Sequence, residues 1–178
     1  MAAATVAARL SAPLAYNAMK WRATRTRARA AGVTLAACLD GHECLPALLG
    51  HSLGGALMVT AARCVDDRFA GLDSIHLFGA AIPVRETYIS AGMAMKGRIF
   101  NYYSREDAVL RTLFRAGEGG EAAIGCVGAN QPPIRDGDVT KAVGTDHSAY
   151  LSNILLRKAQ LDDRSDRGHP STRINSEI

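Results

Sequence analysis

The chain has 178 residues and a mass of 18.9 kDa, with 48% apolar and 21% charged residues. This length suits one domain with a buried core, and the composition excludes a disordered, collagenous or coiled-coil protein. The net charge of +4 comes from the first 39 residues, which carry six basic side chains and no acidic one, so the remaining residues together carry −2. The body is therefore near neutral, and we expect no nucleic-acid partner.

The N-terminal segment, residues 1–45, is predicted to be a basic helix. From Ser11 onward, apolar side chains recur on one face at helical spacing, namely Leu14, Ala18, Trp21, Ala28, Leu35 and Leu39. We expect this face to pack against the body. The alternative is a targeting helix, or an amphipathic helix that contacts a membrane surface and makes the protein peripherally membrane-associated.

Residues 46–161 are predicted to form an α/β core, because short apolar runs alternate with segments of helical spacing. The predicted strands are 46–51, 74–79, 98–103 and a weaker run within 122–127. The predicted helices are 53–65, 85–95, 108–115 and 148–158, with a loop at 128–145. We expect a mostly parallel sheet of about four strands flanked by helices, followed by a polar, disordered tail at 162–178.

The four cysteines, Cys38, Cys44, Cys64 and Cys126, include no C-x-x-C pair. This spacing predicts free thiols, with no disulfide framework and no metal site, and it favours a reducing, cytoplasmic compartment. Nothing in the sequence requires a cofactor.

The first strand-to-helix junction reads Gly50-His51-Ser52-Leu53-Gly54 and matches the motif G-x-S-x-G. In this motif a serine on a sharp turn, a nucleophile elbow, presents its hydroxyl, and glycines on either side remove side chains that would clash. The Leu53 N–H at the helix start is then one oxyanion donor. The alternative is a glycine-rich turn with a buried serine.

A serine nucleophile needs a histidine base oriented by a carboxylate, and proteins with this elbow carry the acid and then the histidine further along the chain. After Ser52 the chain contains three histidines. His76 lies within a predicted strand and His169 lies in the predicted tail. This leaves His147 as the candidate base.

The candidate acid is Asp107, which follows the third predicted strand at the sheet edge where catalytic groups collect. Glu106 has the same chemistry, and the sequence barely separates the two. Asp136 and Asp138 also compete as the acid. They lie in a glycine-containing loop, and the alternative is that water simply solvates their carboxylates. Asp146 would more naturally cap the helix that follows it.

Several short segments between residues 48 and 150 are similar to a known family. They are Leu49-Gly50-His51-Ser52-Leu53-Gly54, Leu77-Phe78-Gly79-Ala80 with Pro83, Gly97-Arg98-Ile99, Asn101-Tyr102-Tyr103-Ser104-Arg105 with Asp107, Leu110 with Phe114-Arg115, and His147 with Tyr150. This stretch resembles the α/β-hydrolase fold and, within it, the family of transmembrane and coiled-coil domain protein four. The resemblance implies Ser52 as nucleophile, Asp107 as acid and His147 as base, with a small-molecule or lipid ester as substrate.

The α/β-hydrolase sheet has strands before the elbow strand, and the second oxyanion donor follows one of them. Nothing before Pro46 is predicted as a strand. We therefore expect this chain to be the C-terminal part of the fold, with the early strands missing and the elbow strand at a sheet edge. A second copy of the chain or an upstream segment would be needed to cover that edge.

The sequence favours a serine hydrolase that cleaves carboxylic esters, lipid esters included, through an acyl-enzyme. The alternative is a truncated, non-catalytic α/β-hydrolase remnant that acts as a binding module. A third hypothesis, in which residues 9–29 bind nucleic acid or anionic lipid, ranks last because Trp21 is the only aromatic side chain interleaved with the arginines.

Overall fold

The computed structural model describes residues 2–39, 47–64, 72–86, 98–132 and 134–154. The first five elements are α1 (Ala2–Leu39), β1 (Ala47–His51), α2 (Leu53–Cys64), β2 (Ser74–Phe78) and β3 (Arg98–Tyr103). A π-helical segment, π1 (Leu110–Phe114), then continues into α3 (Arg115–Gly117). The remaining elements are α4 (Ile124–Val127), β4 (Ile134–Asp138), α5 (Thr140–Val143) and α6 (Tyr150–Asn153).

The four strands form one parallel sheet in the order β1-β2-β3-β4. This confirms the prediction of an α/β fold with a parallel sheet flanked by helices. Because all strands run in the same direction, the loops that follow them meet at one edge of the sheet. The Ser52 N–H donates to the Phe78 carbonyl and the Gly79 N–H donates to the Tyr102 carbonyl, each at 3.0 Å, which joins the ends of β1, β2 and β3.

The first three strands and α2 lie where the sequence predicts them. Many of their apolar residues are buried between the sheet and the helices, with Ile75 and Leu77 of β2 fully enclosed. The helix predicted at 108–115 is present as π1 and α3. Among the described residues β1 pairs only with β2, so it lies at a sheet edge, and its Leu49 is 41% exposed.

The predicted position of the fourth strand is wrong. Residues 124–127 form α4, and β4 lies within the segment predicted as a loop. Residues 124–126 are buried because α4 packs against the end of β2, where a Cβ on Gly125 would lie 2.2 Å from the Ala80 nitrogen. β4 is a polar edge strand with one half-buried apolar residue, Ile134, so it lacks the apolar run that marks an inner parallel strand.

The N-terminal helix begins at Ala2, not at Ser11 as predicted, since the alanine-rich start favours continued helix. Trp21, Leu35 and Leu39 of the predicted apolar face pack against the body. In the described part of the chain, no helix combines the length and the apolar character needed to cross a membrane. Most of the helix predicted at 85–95, the end of the helix predicted at 148–158, and the predicted tail lie outside the described residues.

Ion pairs connect the basic face of α1 to the body. Arg25 contacts both Glu86 and Glu118, and Arg29 also contacts Glu86. On the body, Arg85 pairs with Glu118 at 3.4 Å. Two of the six basic residues that the sequence places on this segment, Arg25 and Arg29, are therefore paired within the fold.

The contact between α1 and α2 depends on Gly32. A Cβ at this position would lie 2.5 Å from the Leu57 carbonyl oxygen and 2.8 Å from the Thr60 Cβ. Because the first of these atoms belongs to the backbone of a helix, it cannot move aside as a flexible side chain would.

We expect Gly32→Leu to lower the free energy of unfolding by about 1–3 kcal/mol, because overpacking outweighs the gain in helix propensity. Ala31→Leu is the matched control, since Ala31 is exposed on the same helix. Chemical denaturation of both variants measures the difference. Equal stability of the two would show that α1 does not pack closely on α2.

Candidate active site

Ser52 occupies the turn between β1 and α2 with a φ of 55°, a left-handed conformation that is uncommon for a residue other than glycine. The turn is fixed on both sides. The Ser52 N–H donates to Phe78, and the Ser52 carbonyl accepts from the N–H groups of Gly55 and Ala81 at 3.0 Å. Such strained turns persist only when the surroundings hold them, and they are often found at functional sites.

The two motif glycines have different surroundings. A Cβ on Gly50 would lie 2.6 Å from the Gly54 carbonyl oxygen, so the turn requires glycine there. A Cβ on Gly54 would meet no described atom within 4 Å. The expectation that both glycines relieve clashes is therefore wrong for Gly54, which instead leaves open space two residues from Ser52.

Asp107 is completely buried at the edge where the strands end. Its Oδ1 accepts a hydrogen bond from the Leu110 N–H at 3.0 Å, and its Oδ2 lies 2.7 Å from His147 Nδ1. Glu106, the alternative acid, is exposed. The structure thus brings Asp107, and not Glu106, into contact with His147.

His147 is half-buried, and its two ring nitrogens have different environments. The Asp107 carboxylate fixes Nδ1 as the protonated nitrogen of the neutral ring. Nε2 is then the free acceptor. It is buried, and no described residue, Ser52 among them, forms a hydrogen bond with it. A base that is ready to accept a proton has this arrangement, and the hydrogen bond from the nucleophile is often long before substrate binds.

Two hydrogen bonds hold the loop that carries His147 against the loop that carries Asp107. The Ser104 hydroxyl donates to the Gly144 carbonyl at 2.6 Å, and the Ala108 N–H donates to the Thr145 carbonyl at 3.1 Å. Ser104 is itself fully buried. The Asp107 to His147 contact is therefore built by two loops tied to each other on both sides of the carboxylate.

His51 connects the β1 end of the site to the same loop. Its Nε2 lies 2.7 Å from the His147 carbonyl oxygen, and the two rings are 4.7 Å apart. Since a carbonyl only accepts, His51 carries its proton on Nε2. The sequence identifies His51 only as part of the motif, and nothing in its spacing predicts this contact with a residue 96 positions away.

Tyr150 is a second residue whose role the sequence does not predict. Its side chain is fully buried, and its hydroxyl accepts from the Ser104 N–H and lies 3.1 Å from Asp107 Oδ2. Burial and the negative charge of Asp107 raise the pKa of Tyr150, so its hydroxyl stays protonated and can donate to the carboxylate. In the sequence, the one signal for this role of Tyr150 is its position three residues after His147. That spacing places both residues on one side of a helical turn.

The other candidates have structural contacts. His76 is buried on β2 and stacks on Phe100 with ring centroids 4.9 Å apart, as the sequence predicts for a core histidine. Asp146 accepts from the Ser148 N–H at 2.8 Å, so it caps the turn before α6 and not the helix itself. Within the described ranges, no group of three or more His, Cys, Asp or Glu side chains is placed to hold a metal ion.

Asp136 and Asp138 are exposed, but they are not simply solvated. Asp136 accepts from the Asn101 amide at 2.7 Å and from the Asn130 N–H at 2.7 Å, which fixes the loop before β4. Asp138 accepts from the Thr140 hydroxyl and N–H, and these hydrogen bonds lower its pKa. Neither carboxylate is seen in contact with His147, whose Nδ1 bonds Asp107.

The lowered pKa of His51 makes the free energy of unfolding depend on pH. Burial lowers the pKa of His51, with the nearby His147 ring adding to the effect, while its hydrogen bond to His147 and the charge of Asp107 oppose it. The unfolded chain therefore takes up this proton more readily than the native protein as the pH falls below about 6.5. The stabilisation is present above that pH and is lost as the solution becomes more acidic.

We expect the thermal midpoint of the wild type to fall between about pH 7.5 and about pH 5.5 by more than that of His51→Gln, which keeps a donor and cannot titrate. Differential scanning calorimetry at both pH values measures this difference. An identical fall in the two proteins would exclude His51 as the source.

A family model described as "Protein of unknown function (DUF726)" matches residues 5–159 of this chain. An uncharacterised membrane protein of Schizosaccharomyces pombe is 31% identical over 146 residues, which are 76% of this chain and 18% of that protein. Transmembrane and coiled-coil domain-containing protein STS1 of Oryza sativa subsp. japonica is 30% identical over 144 residues, or 75% of this chain and 21% of that protein. A probable lipase, MIL1, of Saccharomyces cerevisiae is 32% identical over 111 residues, or 58% of this chain and 10% of that protein.

The chain thus spans about a fifth or less of the length of these curated relatives. No solved structure matches it.

Proposed function

The chain belongs to the DUF726 family, and we propose that it supplies the catalytic residues of a serine hydrolase that cleaves carboxylic esters, lipid esters included. The observation that carries this proposal is the buried contact between Asp107 and His147 Nδ1, which leaves His147 Nε2 enclosed and without a partner among the described residues. A buried acceptor without a donor is costly to a fold, so its presence favours a function for that nitrogen.

Ser52 is the proposed nucleophile. It follows His51, which contacts the His147 loop directly, and the turn that holds it is strained. In the first step, Ser52 Oγ attacks the ester carbonyl carbon while His147 Nε2 takes the hydroxyl proton. His147 then gives that proton to the leaving alcohol as the acyl-enzyme forms. Water repeats the same sequence, releasing the carboxylic acid and restoring Ser52.

Two groups would stabilise the charges that develop. The Leu53 N–H, at the start of the twelve-residue helix α2, would donate to the oxyanion. Asp107 would stabilise the imidazolium of His147 and keep it in the required orientation, with Leu110 N–H and Tyr150 holding the carboxylate in place. The open space at Gly54 leaves room near Ser52 for a substrate.

The similarity to a probable lipase supports a lipid ester as the substrate class. The similarity covers 58% of this chain, and the description as a probable lipase belongs to the yeast protein. The proposal for this chain therefore rests first on the site geometry, and the choice of lipid over small-molecule esters depends on the relative.

A fluorophosphonate probe tests the proposal, because it reacts only with a serine that a base activates. We expect the full chain to be labelled on Ser52, as identified by mass spectrometry of the digested protein, and to hydrolyse short-chain nitrophenyl esters. The alternative is a binding module that keeps the turn for packing. A folded chain without labelling or hydrolysis would favour that alternative.

A further inference from the structure

A cavity of about 450 Å³ lies at the same end of the sheet as Asp107. Three arginines line it: Arg105 from the loop after β3, and Arg111 and Arg115 from π1 and α3. Its apolar surface includes Leu110, Ala123 and Cys126. None of the described residues that line it is acidic, so this part of the structure combines positive charge with an apolar surface.

The charges of these three arginines are only partly neutralised. Arg105 pairs with Asp138 at 3.1 Å, but its side chain is 68% exposed. Arg115 donates to the Gly120 carbonyl at 3.2 Å, which is a hydrogen bond to a neutral group. Arg111 makes no ion pair with any described residue. Within the described ranges, Asp138 is therefore the one carboxylate that pairs with any of the three guanidinium groups.

Two arginines of α1 have the opposite environment. Arg25 and Arg29 share Glu86, and Glu118 accepts from Arg25 and Arg85. Glu118 is almost completely buried, so those arginines have a fixed internal partner. That cluster has a structural role in attaching α1, whereas the cavity keeps a surplus of positive charge.

The arrangement of the cavity arginines suits a tetrahedral oxyanion. Arg111 and Arg115 are four residues apart on one face of the same helical segment, and Arg105 approaches from a separate loop. Guanidinium groups present paired N–H donors in a plane, which match the oxygens of a phosphate better than a single ammonium does. A phosphate has several acceptor oxygens, so more than one of these arginines could donate to it.

The apolar surface sets a second requirement. Val127, which also lines the cavity, is 44% exposed, whereas Leu110 and Ala123 have no exposed surface. Cys126 is 7% exposed, and burial and the charge of Asp107 raise the pKa of its thiol. The Val127 side chain would contact a hydrocarbon group favourably and would gain nothing from a free inorganic ion. The ligand therefore needs an apolar part next to its anionic group.

We infer that this cavity binds a phosphate ester that carries an acyl or alkyl chain, such as the head group of an anionic phospholipid. Its place near Asp107 rests on Leu110, which both lines the cavity and donates its N–H to Asp107 Oδ1. The use of this ligand as a substrate rests on the proposed function, but its binding does not.

Calorimetric titration of the full chain with dihexanoyl phosphatidic acid, kept below its micelle concentration, tests the inference. We expect it to bind more tightly than dihexanoyl phosphatidylcholine, hexanoate or inorganic phosphate, and to weaken as salt is added. Arg111→Gln should reduce the affinity by about tenfold, and Arg111→Gln with Arg115→Gln by more. Arg27→Gln, an exposed arginine on α1, is the matched control and should have no effect.

Arg111→Gln is expected to fold normally. Arg111 forms no ion pair with a described residue, so its replacement leaves no described carboxylate without its partner. The titration is repeated with Ser52→Ala, so that loss of hydrolysis and loss of binding are separated. Equal affinity for phosphatidic acid in the wild type and the double variant would overturn the inference. Equal affinity for inorganic phosphate would identify the free ion as the ligand and overturn the lipid assignment.

Discussion

Replacement of Ser52 by alanine is expected to abolish fluorophosphonate labelling and to reduce ester hydrolysis by about 10⁶-fold, as for removal of the nucleophile from other serine hydrolases. The physical reason is that Ser52 is the proposed nucleophile, and alanine has no group that can attack the ester carbonyl. Alanine preserves the backbone at this position, because the turn is held by main-chain hydrogen bonds to Phe78, Gly55 and Ala81. The fold should therefore remain intact.

The matched control for this variant is Ser152→Ala, which removes an exposed hydroxyl on α6. It should leave labelling and hydrolysis unchanged. Thermal unfolding of both variants checks that any loss of activity is chemical and not a loss of structure. Undiminished labelling of Ser52→Ala would show that a different serine is the nucleophile.

The second large effect is expected for Asp107→Asn. An amide in place of the carboxylate retains the size of the side chain but removes the charge that stabilises protonated His147 and fixes its tautomer. In a comparable site this change lowers kcat by about 10⁴-fold. Because Asp107 is completely buried, solvent cannot replace the missing charge.

Glu106→Gln and Asp146→Asn are the controls, since each removes a neighbouring exposed carboxylate. Steady-state hydrolysis of a nitrophenyl ester by the three variants separates the candidates. We expect a change of less than about tenfold in the two controls, because exposed charges are screened by water and salt. A larger loss in Glu106→Gln than in Asp107→Asn would show that the acid is Glu106.

Elements with a strong local pattern could be predicted from the sequence. β2 is an apolar run because an inner parallel strand is covered on both faces, β1 and β3 are also rich in apolar residues, and α2 has the small apolar residues that let it pack on the sheet. The fourth strand could not be predicted, since β4 lies at the edge and has the sequence Ile-Arg-Asp-Gly-Asp. Its position depends on pairing with β3, which is a property of the tertiary structure.

The same distinction holds for the site. Ser52 and His147 were found from a local motif and from elimination along the chain, and their catalytic roles stay predictions. To choose between Asp107 and Glu106, one must know which side chain points into the fold. The sequence of a loop does not show which of two adjacent side chains does so. The hydrogen bond from His51 to the His147 carbonyl joins residues 96 positions apart, so only the folded chain displays it.

The attachment of α1 also gives the protein an internal optical reporter. Trp21 is the single tryptophan of the chain, and its indole packs edge-on against Phe114 at 5.6 Å and donates to Glu118 at 3.2 Å. Phe114 belongs to the helical segment that begins just after Asp107. Intrinsic fluorescence therefore reports whether the N-terminal helix is docked beside the site. It can be followed in real time, without any label, while ligands or vesicles are added.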